Sequence, residues 1–586
     1  MRDVGAPVKT PLYCTPEGSM RPLRVVMVGP AMIPGWLRAF HALAVSYDWI
    51  ELVALVAPAA KVPQVASVPA DVRAVVALEH ALLKENCCLA PVAMPQEPAH
   101  AVQSDDAALL ERIGALRPDL VILLGPQALA SSLATRAPMG CWQLDASLVD
   151  ERHAGLSLLA PMVRGEQATQ MALMLKQAGD TPVDLAVSWG RTRVSSFLRQ
   201  REDAFRKLPA LLLRALHRLA GGYVSAAPHS VAIVQLQSQL PLGSAAGLRT
   251  LPLIARAFLR RITGRRRDGS IGWTLVLRLG GTPLDPQSPV IGSHALLRAS
   301  KGWWADPFVV NAQGRRLVFV EEMLEPKRNN ANIACVELID GGARRLGVAL
   351  DEPGHLSFPQ VFAWQDRWYM TVESSYDRRV SLYRATGFPL EWVRVQDLVT
   401  GRVCVDPTLH HHDGRWYLFT NVAENGNSTS DELFLFTADD LEGPFVPHPA
   451  SPIVCDVRRA RMAGRLFHHH GRLIRPAQDC GPGYGNAVVF NEVLELGPNV
   501  YHERQLSRLA PYLTRRVDGC HTYNVAGGVE VLDVFGRPPS GTAYLQVFDG
   551  SRTTRNDDAP LDSVRPAPST GLPPAGRRAH PGAPPR

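Results

Sequence analysis

The sequence predicts two folded regions of different class. Residues 23–190 read as an α/β domain with a mostly parallel sheet. Residues 270–535 read as an all-β five-bladed propeller, and a basic helical connector over 191–268 joins the two. Three observations carry this reading. At 586 residues the chain exceeds what one hydrophobic core sustains. In its first third, continuous apolar runs alternate with segments of helical spacing. In its C-terminal half, a pattern of short strands recurs about every 50 residues.

The elements follow in order. Residues 1–22 carry no charged-then-apolar signal and are expected to form a flexible leader. "LRVVMVG", ending at Gly29, is an unbroken apolar run of the kind buried on both faces of a sheet. "GWLRAFHALAVSY" follows as a helix, and "WIELVALVAP", "DLVILLG" and "CWQL" as further strands. The turn "VGPAMIPG" lacks the glycine spacing of a dinucleotide site.

Over 191–268 the apolar spacing is helical, with a break expected near Pro209. Seven Arg stand in nineteen residues of "RTLPLIARAFLRRITGRRR". The cluster between Arg256 and Arg267 is a candidate contact for an anionic membrane surface, weighed against a solvated connector. Aromatics for base stacking are nearly absent there, so no nucleic-acid partner is expected. No run of ~18 uninterrupted apolar residues occurs, so no membrane span is expected. Residues 536–586, rich in Pro, Gly and Arg, are expected to be disordered.

The repeat organises the C-terminal half. "AQGRRLVFVEE", "WQDRWYMTVES", "HDGRWYLFTNV" and "HHGRLIRPAQD" bring Arg315, Arg367, Arg415 and Arg472 into register, at spacings of 52, 48 and 57. Nine residues before each Arg stands a turn pair: Asp306-Pro307, Phe358-Pro359, Asp406-Pro407 and Ala463-Gly464. A fifth, weaker copy is "VDGCHTYNVAGGVEVLDV". No such unit buries its faces alone, so the units must close into a ring. Six residues after each Arg stand Glu321, Glu373, Asn421 and Gln478, all carboxylates or amides. With Asp306 and Asp406 opening inner strands, these groups are expected to meet at one mouth of the central channel. Polar groups in a concave mouth, with Trp303 and Trp304 nearby, suit a sugar. The structural alternative is that the same turns and strand ends merely cap blades.

Two resemblances come from these residues. "WWADPF", "DPTLHHHDGRWYLF" and "AGRLFHHHGRLIRPAQDCGPGYGNAV" resemble the propeller domain of glucosamine inositolphosphorylceramide transferase-type proteins. That domain is related to five-bladed arabinanase, xylosidase and levansucrase-type glycosidases. The resemblance implies that Asp306 is the base and that Asp406 tunes the acid. The acid itself would open the fourth blade, where Met462 or Ala463 stands without a carboxylate. Glu373 is the substitute proton donor considered from a neighbouring blade. The N-terminal region resembles the formyltransferase fold, a Rossmann-like α/β architecture. Its Asn-x-His-Pro-Ser motif corresponds to "GCWQLDAS", placing Gln143 at the Asn position, Asp145 at the His position and Ser147 at the Ser position. Asp180 matches the downstream Asp, and His153 is a nearby substitute base. Asp is a poor proton handler at neutral pH, so the site reads as degenerate. 10-formyltetrahydrofolate is expected as a cofactor only if that domain is active, and no other cofactor is expected.

The remaining candidates are weighed singly. His355 and His521 precede inner strands and are candidate ligand contacts. Arg475 and Asp479 are candidate substrate contacts, Arg475 for an anionic sugar substituent, or else ion-pair partners of each other. The runs His410–His412 and His468–His470 suggest a metal, but adjacent strand residues point apart, so solvated turns are expected and no metal. Nine cysteines with no C-x-x-C spacing point to reduced thiols in a cytoplasm, with a membrane-peripheral placement if the Arg cluster binds lipid. The expected function is that of a carbohydrate-active enzyme, hydrolase or transferase. Its substrate would be a glycan, a nucleotide sugar or a glycolipid. The alternatives are a non-catalytic glycan-binding module, and a formyltransferase acting on an amino-sugar nucleotide.

Overall fold

The apolar run Leu23–Gly29 becomes a strand lying parallel to Ile50–Val56 on one side and to Leu120–Leu123 on the other. The computed structural model describes residues 9–18, 20–57, 70–83, 88–95, 106–150, 154–177, 181–223, 228–236, 249, 272–280, 282–325, 330–374, 376–510, 517–536 and 544–549. The first sheet has seven strands. In spatial order they are Ile50–Val56, Leu23–Gly29, Leu120–Leu123, Cys141–Leu144, Val231–Leu236, Ala168–Gln177 and Val183–Arg191. The first five are parallel, Ala168–Gln177 runs against them, and Val183–Arg191 pairs antiparallel to it. Helix Gly35–Ala44 buries Trp36, Leu37, Phe40 and Ala44, spaced three and four apart, on one face.

Three boundaries read from the sequence move. Strand Val231–Leu236, placed in the connector, inserts between Cys141–Leu144 and Ala168–Gln177, so the α/β domain extends past 190. Its six residues follow a basic helix, and nothing short-range marks them as central. Helix Phe197–Ala220 runs unbroken through Pro209. Leu208, Leu211, Leu212 and Leu216 around it are buried, and that burial outweighs the roughly 3 kcal/mol of an interior proline. The expected leader is fixed from residue 9 onward. Thr10 N–H donates to Thr400 O at 3.0 Å, Arg402 Nε donates to Thr10 O at 2.9 Å, and Leu12 and Tyr13 enter the core. Residues 1–8 and the Arg cluster at 256–267 lie outside the described residues.

The propeller closes with five sheets. Blade one is Trp303–Ala312, Arg315–Glu325, Asn330–Ile339 and Gly342–Leu350. Blade two runs from Leu356–Trp364 to Glu391–Thr400, and blade three from Cys404–His412 to Val446–Pro447. Blade four runs from Arg461–Met462 to Tyr501–Leu509. Blade five joins Val517–Gly519, Tyr523–Ala526 and Val529–Gly536 to Gly272–Leu279 and Ala295–Leu297. The chain therefore closes its own ring, with Gly272 opposite Gly536 and Leu279 opposite Val529. Each aligned Arg begins the second strand of its blade. The first three turn pairs are bulges in the inner strands. Asp306, Phe358 and Asp406 there take φ of +46°, +53° and +51°. Strand Gln546–Asp549 adds to blade one in parallel, so part of the expected tail is structured, and 550–586 lie outside the described residues.

The two domains meet through backbone and buried charge. Trp189 N–H donates to Cys455 O at 2.9 Å, and Val457 N–H to Trp189 O at 3.0 Å. Arg214 of the long helix reaches Glu424 and Glu432 of blade three, and Lys207 pairs with Asp431. One hydrophobic cluster runs from Leu23 of the sheet to Phe436 of the propeller. No described helix is long and apolar enough to cross a membrane.

Candidate functional site

The recurring register places equivalent residues at equivalent points. Ala305 pairs Glu321, Ser357 pairs Glu373, Val405 pairs Asn421 and Arg461 pairs Gln478. All four second-strand residues are buried, as are Asp306 and Asp406. Asp306 Oδ1 accepts from Thr522 Oγ1 at 2.9 Å, and its N–H donates to Asp533 Oδ2 at 3.0 Å. His521 Nδ1 lies 2.7 Å from Asp533 Oδ2, and its Nε2 lies 3.6 Å from Asp306 Oδ1. Trp273 stacks on His521 at 3.8 Å between ring centroids, and Tyr484 stands edge-on to it at 5.4 Å. Asp406 accepts from Arg461 at 2.7 and 3.2 Å and from Gln478 Nε2 at 2.7 Å. Its N–H donates to Glu373 Oε2 at 2.5 Å. His355 Nε2 lies 3.2 Å from Glu321 Oε1.

These groups sense one another's charge. Burial lifts Asp306 well above the carboxylate range; His521 opposes this, while Glu321, Asp406 and Asp533 add to it. Glu373 is pushed up to about 7, first by burial and then by the Asp406 charge, with Arg461 opposing. His521 is the reverse case. Burial alone would lower it, but Asp533 and Asp306 outweigh burial and raise it to about 9. An imidazole raised in the folded state stabilises fully below its unfolded value of about 6.5, and loses that contribution as pH rises through about 9. The stability difference between wild type and His521→Asn should therefore shrink between pH 6 and pH 9.5. Thermal melts across that range check it, and a difference that grows with pH would refute it.

The structure brings Asp306, Asp406, Glu373, Glu321, His355 and His521 together. It gives other candidates different tasks. Asn421 donates to Glu432 O at 2.9 Å and accepts from Met462 N–H at 3.3 Å, so its amide staples blade three to blade four. Gln478 donates to both Asp406 and Met462 O. Blade capping, the structural alternative, holds for these two. Trp304 is in the core, not the mouth. It pairs with Glu322, whose side chain faces away from that of Glu321, and donates its indole N–H to Glu322 at 3.0 Å. Arg475 forms a two-pronged pair with Glu503 at 2.7 and 2.8 Å, and Asp479 pairs with Arg508 at 2.7 Å. The alternative of an Arg475–Asp479 pair is not what forms. Arg475 and Asp479 both differ from Gln478 by an odd number of strand positions, which turns them off its face.

Arg461, Thr522, Asp533, Tyr484 and Trp273 were not singled out from sequence. Arg461 stands one residue before the Met462-Ala463 pair where a carboxylate was sought. Asp533 lies in the fifth copy, which lacks an aligned Arg to set its register. His410 carries an unpartnered buried Nε2, and burial and neighbouring histidines lower it to about 3. Among the described residues, one group of His, Cys, Asp or Glu is compact enough to hold a metal ion. It is Asp306, His521 and Asp533, with donor atoms within 4.8 Å of one another. A metal there would have to displace the proton that Asp533 and Asp306 favour on His521. In the α/β domain Gln143 donates to Gly125 O at 2.7 Å. Asp145 caps the short helix Ala146–Val149 by accepting from Ser147 N–H at 2.8 Å. His153 and Asp180 lie outside the described residues.

Residues 287–550 match the family model described as glucosamine inositolphosphorylceramide transferase 1, N-terminal. Glucosamine inositolphosphorylceramide transferase 1 of Arabidopsis thaliana is 32% identical over 322 residues, covering 50% of this chain and 41% of that protein. The protein of the same name from Oryza sativa subsp. japonica is 35% identical over 258 residues, covering 43% of this chain and 34% of its own length. The chain thus spans less than half the length of these curated relatives. Among solved structures, the GH43 β-xylosidase/α-arabinofuranosidase CoXyl43 from a compost microbial metagenome overlaps 45% of this chain and 99% of its own. Its identity is 13% and its TM-score 0.32, too low to add to the fold seen directly.

Proposed function

We propose, from a C-terminal region that matches that family's model, that the propeller mouth binds a sugar residue of a glycoconjugate. On this reading the chain is a carbohydrate-active enzyme that transfers or hydrolyses a glycosyl group, taking a glycan, nucleotide sugar or glycolipid as substrate. The observation that supports it best is that Asp306, Glu373 and Asp406 meet in one place with three different environments. Asp406 is held by the two-pronged Arg461 pair and Gln478, so it is a positioning residue. Its charge, added to burial, holds Glu373 near 7, which suits a proton donor at neutral pH. Asp306, held by Thr522 beside His521 and lifted well above the carboxylate range by burial, is the second carboxyl of the mouth able to carry a proton. Tyr484, half-exposed beside His521, offers an aromatic face to a sugar ring.

A second reading, glycan binding without turnover, is favoured by one observation. Arg461 opens blade four where a proton donor was sought, and it pairs with Asp406. An array of immobilised glycans probed with the full chain, followed by product analysis, separates the two. Under the enzymatic reading, Asp306→Asn keeps glycan retention and loses turnover about a hundredfold, a loss on the scale of one removed acid/base group. Undiminished turnover in that variant would refute the role of Asp306. No retention of any glycan would refute both readings. The reading assigns the α/β domain a scaffold role and requires no folate, since Gln143 and Asp145 are engaged by local backbone groups.

A further inference from the structure

We propose that the cleft between the α/β domain and the propeller is a second binding site, for a polyol phosphate such as a sugar phosphate or a phosphorylated lipid headgroup. A cavity of about 560 Å³ lies there, within the range of small-molecule sites. One wall is Arg191 and Arg193, together with Arg199, Arg206 and Lys207 of helix Phe197–Ala220. The other is the blade-three loop holding Asn427 and Asp431. Five cationic side chains face three carboxylates, Glu202, Asp203 and Asp431. Those three are matched by Arg206, Arg193 and Lys207 respectively, so the lining keeps a positive surplus.

Arg191 is the centre of that surplus. It donates to Pro482 O at 2.9 Å, and partial desolvation and the neighbouring Arg193 disfavour its charge more than Asp203 supports it. A bound anion would relieve both effects. The loop opposite supplies the second half of the recognition. Asp431 is 3% exposed; one carboxylate oxygen pairs with Lys207, and the other, Oδ1, has no hydrogen-bond partner. The Asn427 amide nitrogen is likewise buried without an acceptor. An unpaired acceptor and an unpaired donor on this loop suit hydroxyl partners, since a hydroxyl can give one hydrogen bond and accept another. An anionic group at Arg191 and hydroxyls at Asp431 and Asn427 together describe a phosphorylated polyol.

The cleft also shares a wall with the mouth. Tyr484 lines the cavity, and its ring lies 4.7 Å from the guanidinium of Arg461, the partner of Asp406. The cleft and the mouth thus meet at Tyr484. Only this last link rests on the sugar reading of the mouth.

The test is calorimetric titration of the full chain with inorganic phosphate, glucose and glucose 1-phosphate, and co-sedimentation with phosphatidylinositol/phosphatidylcholine vesicles against phosphatidylcholine alone. Glucose 1-phosphate should bind at least tenfold more tightly than phosphate or glucose. Preferential capture by phosphatidylinositol vesicles would support the same chemistry from a lipid source. Arg191→Gln should weaken binding about tenfold, and Asn427→Ala, a milder change, severalfold. Absence of saturable binding to glucose 1-phosphate and to phosphatidylinositol vesicles would overturn the proposal. So would binding that both variants leave unchanged. Binding is read without turnover, so a mouth that proves not to handle sugar would leave this result standing.

Discussion

Replacing Arg214 with Met should cost the protein about 3–5 kcal/mol, the scale of removing one partner from a buried ion pair. Arg214 sits on the long helix at the domain boundary. Its guanidinium donates to Tyr13 Oη at 2.8 Å, to Glu424 at 3.0 Å and to both oxygens of Glu432. Met would fill the space and leave two carboxylates facing each other out of water. The residual charges set the pH dependence. Burial alone would raise Glu432, but Arg214 outweighs burial and holds it at about 2. A depressed carboxylate stabilises fully above its unfolded value near 4.5 and loses that contribution as pH falls through about 2. Urea unfolding at pH 7 measures the loss, and the triple variant Arg214→Met, Glu424→Gln, Glu432→Gln should recover most of it. A single-variant loss under about 1 kcal/mol would show that the charge cluster does not hold the boundary.

Glu373→Gln should do two opposite things. A carboxyl raised in the folded state to about 7 costs stability as pH climbs from its unfolded value of 4.5, and the cost is complete above about 7. The gap of about 2.5 units corresponds to at most about 3.5 kcal/mol. Gln keeps a carbonyl to accept the Asp406 N–H and carries no charge. The variant should therefore melt higher than wild type at pH 8 and near wild type at pH 4. Turnover on a responsive glycoconjugate should fall by about 10²–10³, the usual loss of a proton donor. Gain of stability with loss of activity is the signature of a group kept strained for function. A variant that is destabilised at pH 8 would show that Glu373 is a structural staple alone.

The sequence revealed the ring because its signal is periodic. Arg315, Arg367, Arg415 and Arg472 mark the same strand start four times, and counting six residues onward finds Glu321 and Glu373 where the structure puts them. The same count could not separate Glu373 from Asn421. Both lie at one register, and the difference is whether their polar atoms meet backbone or another acid. That depends on the next blade, which local spacing does not encode. Asp533 escaped because its blade is assembled from both ends of the domain. Strand Val231–Leu236 escaped because six residues place no constraint on which neighbours they join. Arg475 was misassigned for a simpler reason: strand parity was not applied to it.

The pairing of Gly272–Leu279 with Val529–Gly536 has a consequence for how the protein is made. A ribosome releases the first of these strands long before the second exists, so it must wait without its partner while the intervening blades are synthesised. Asp306 waits with it, since His521, Thr522 and Asp533 arrive in the same final segment. The chemistry of the mouth is thus absent from every shorter nascent chain and appears only when synthesis of the last blade is complete.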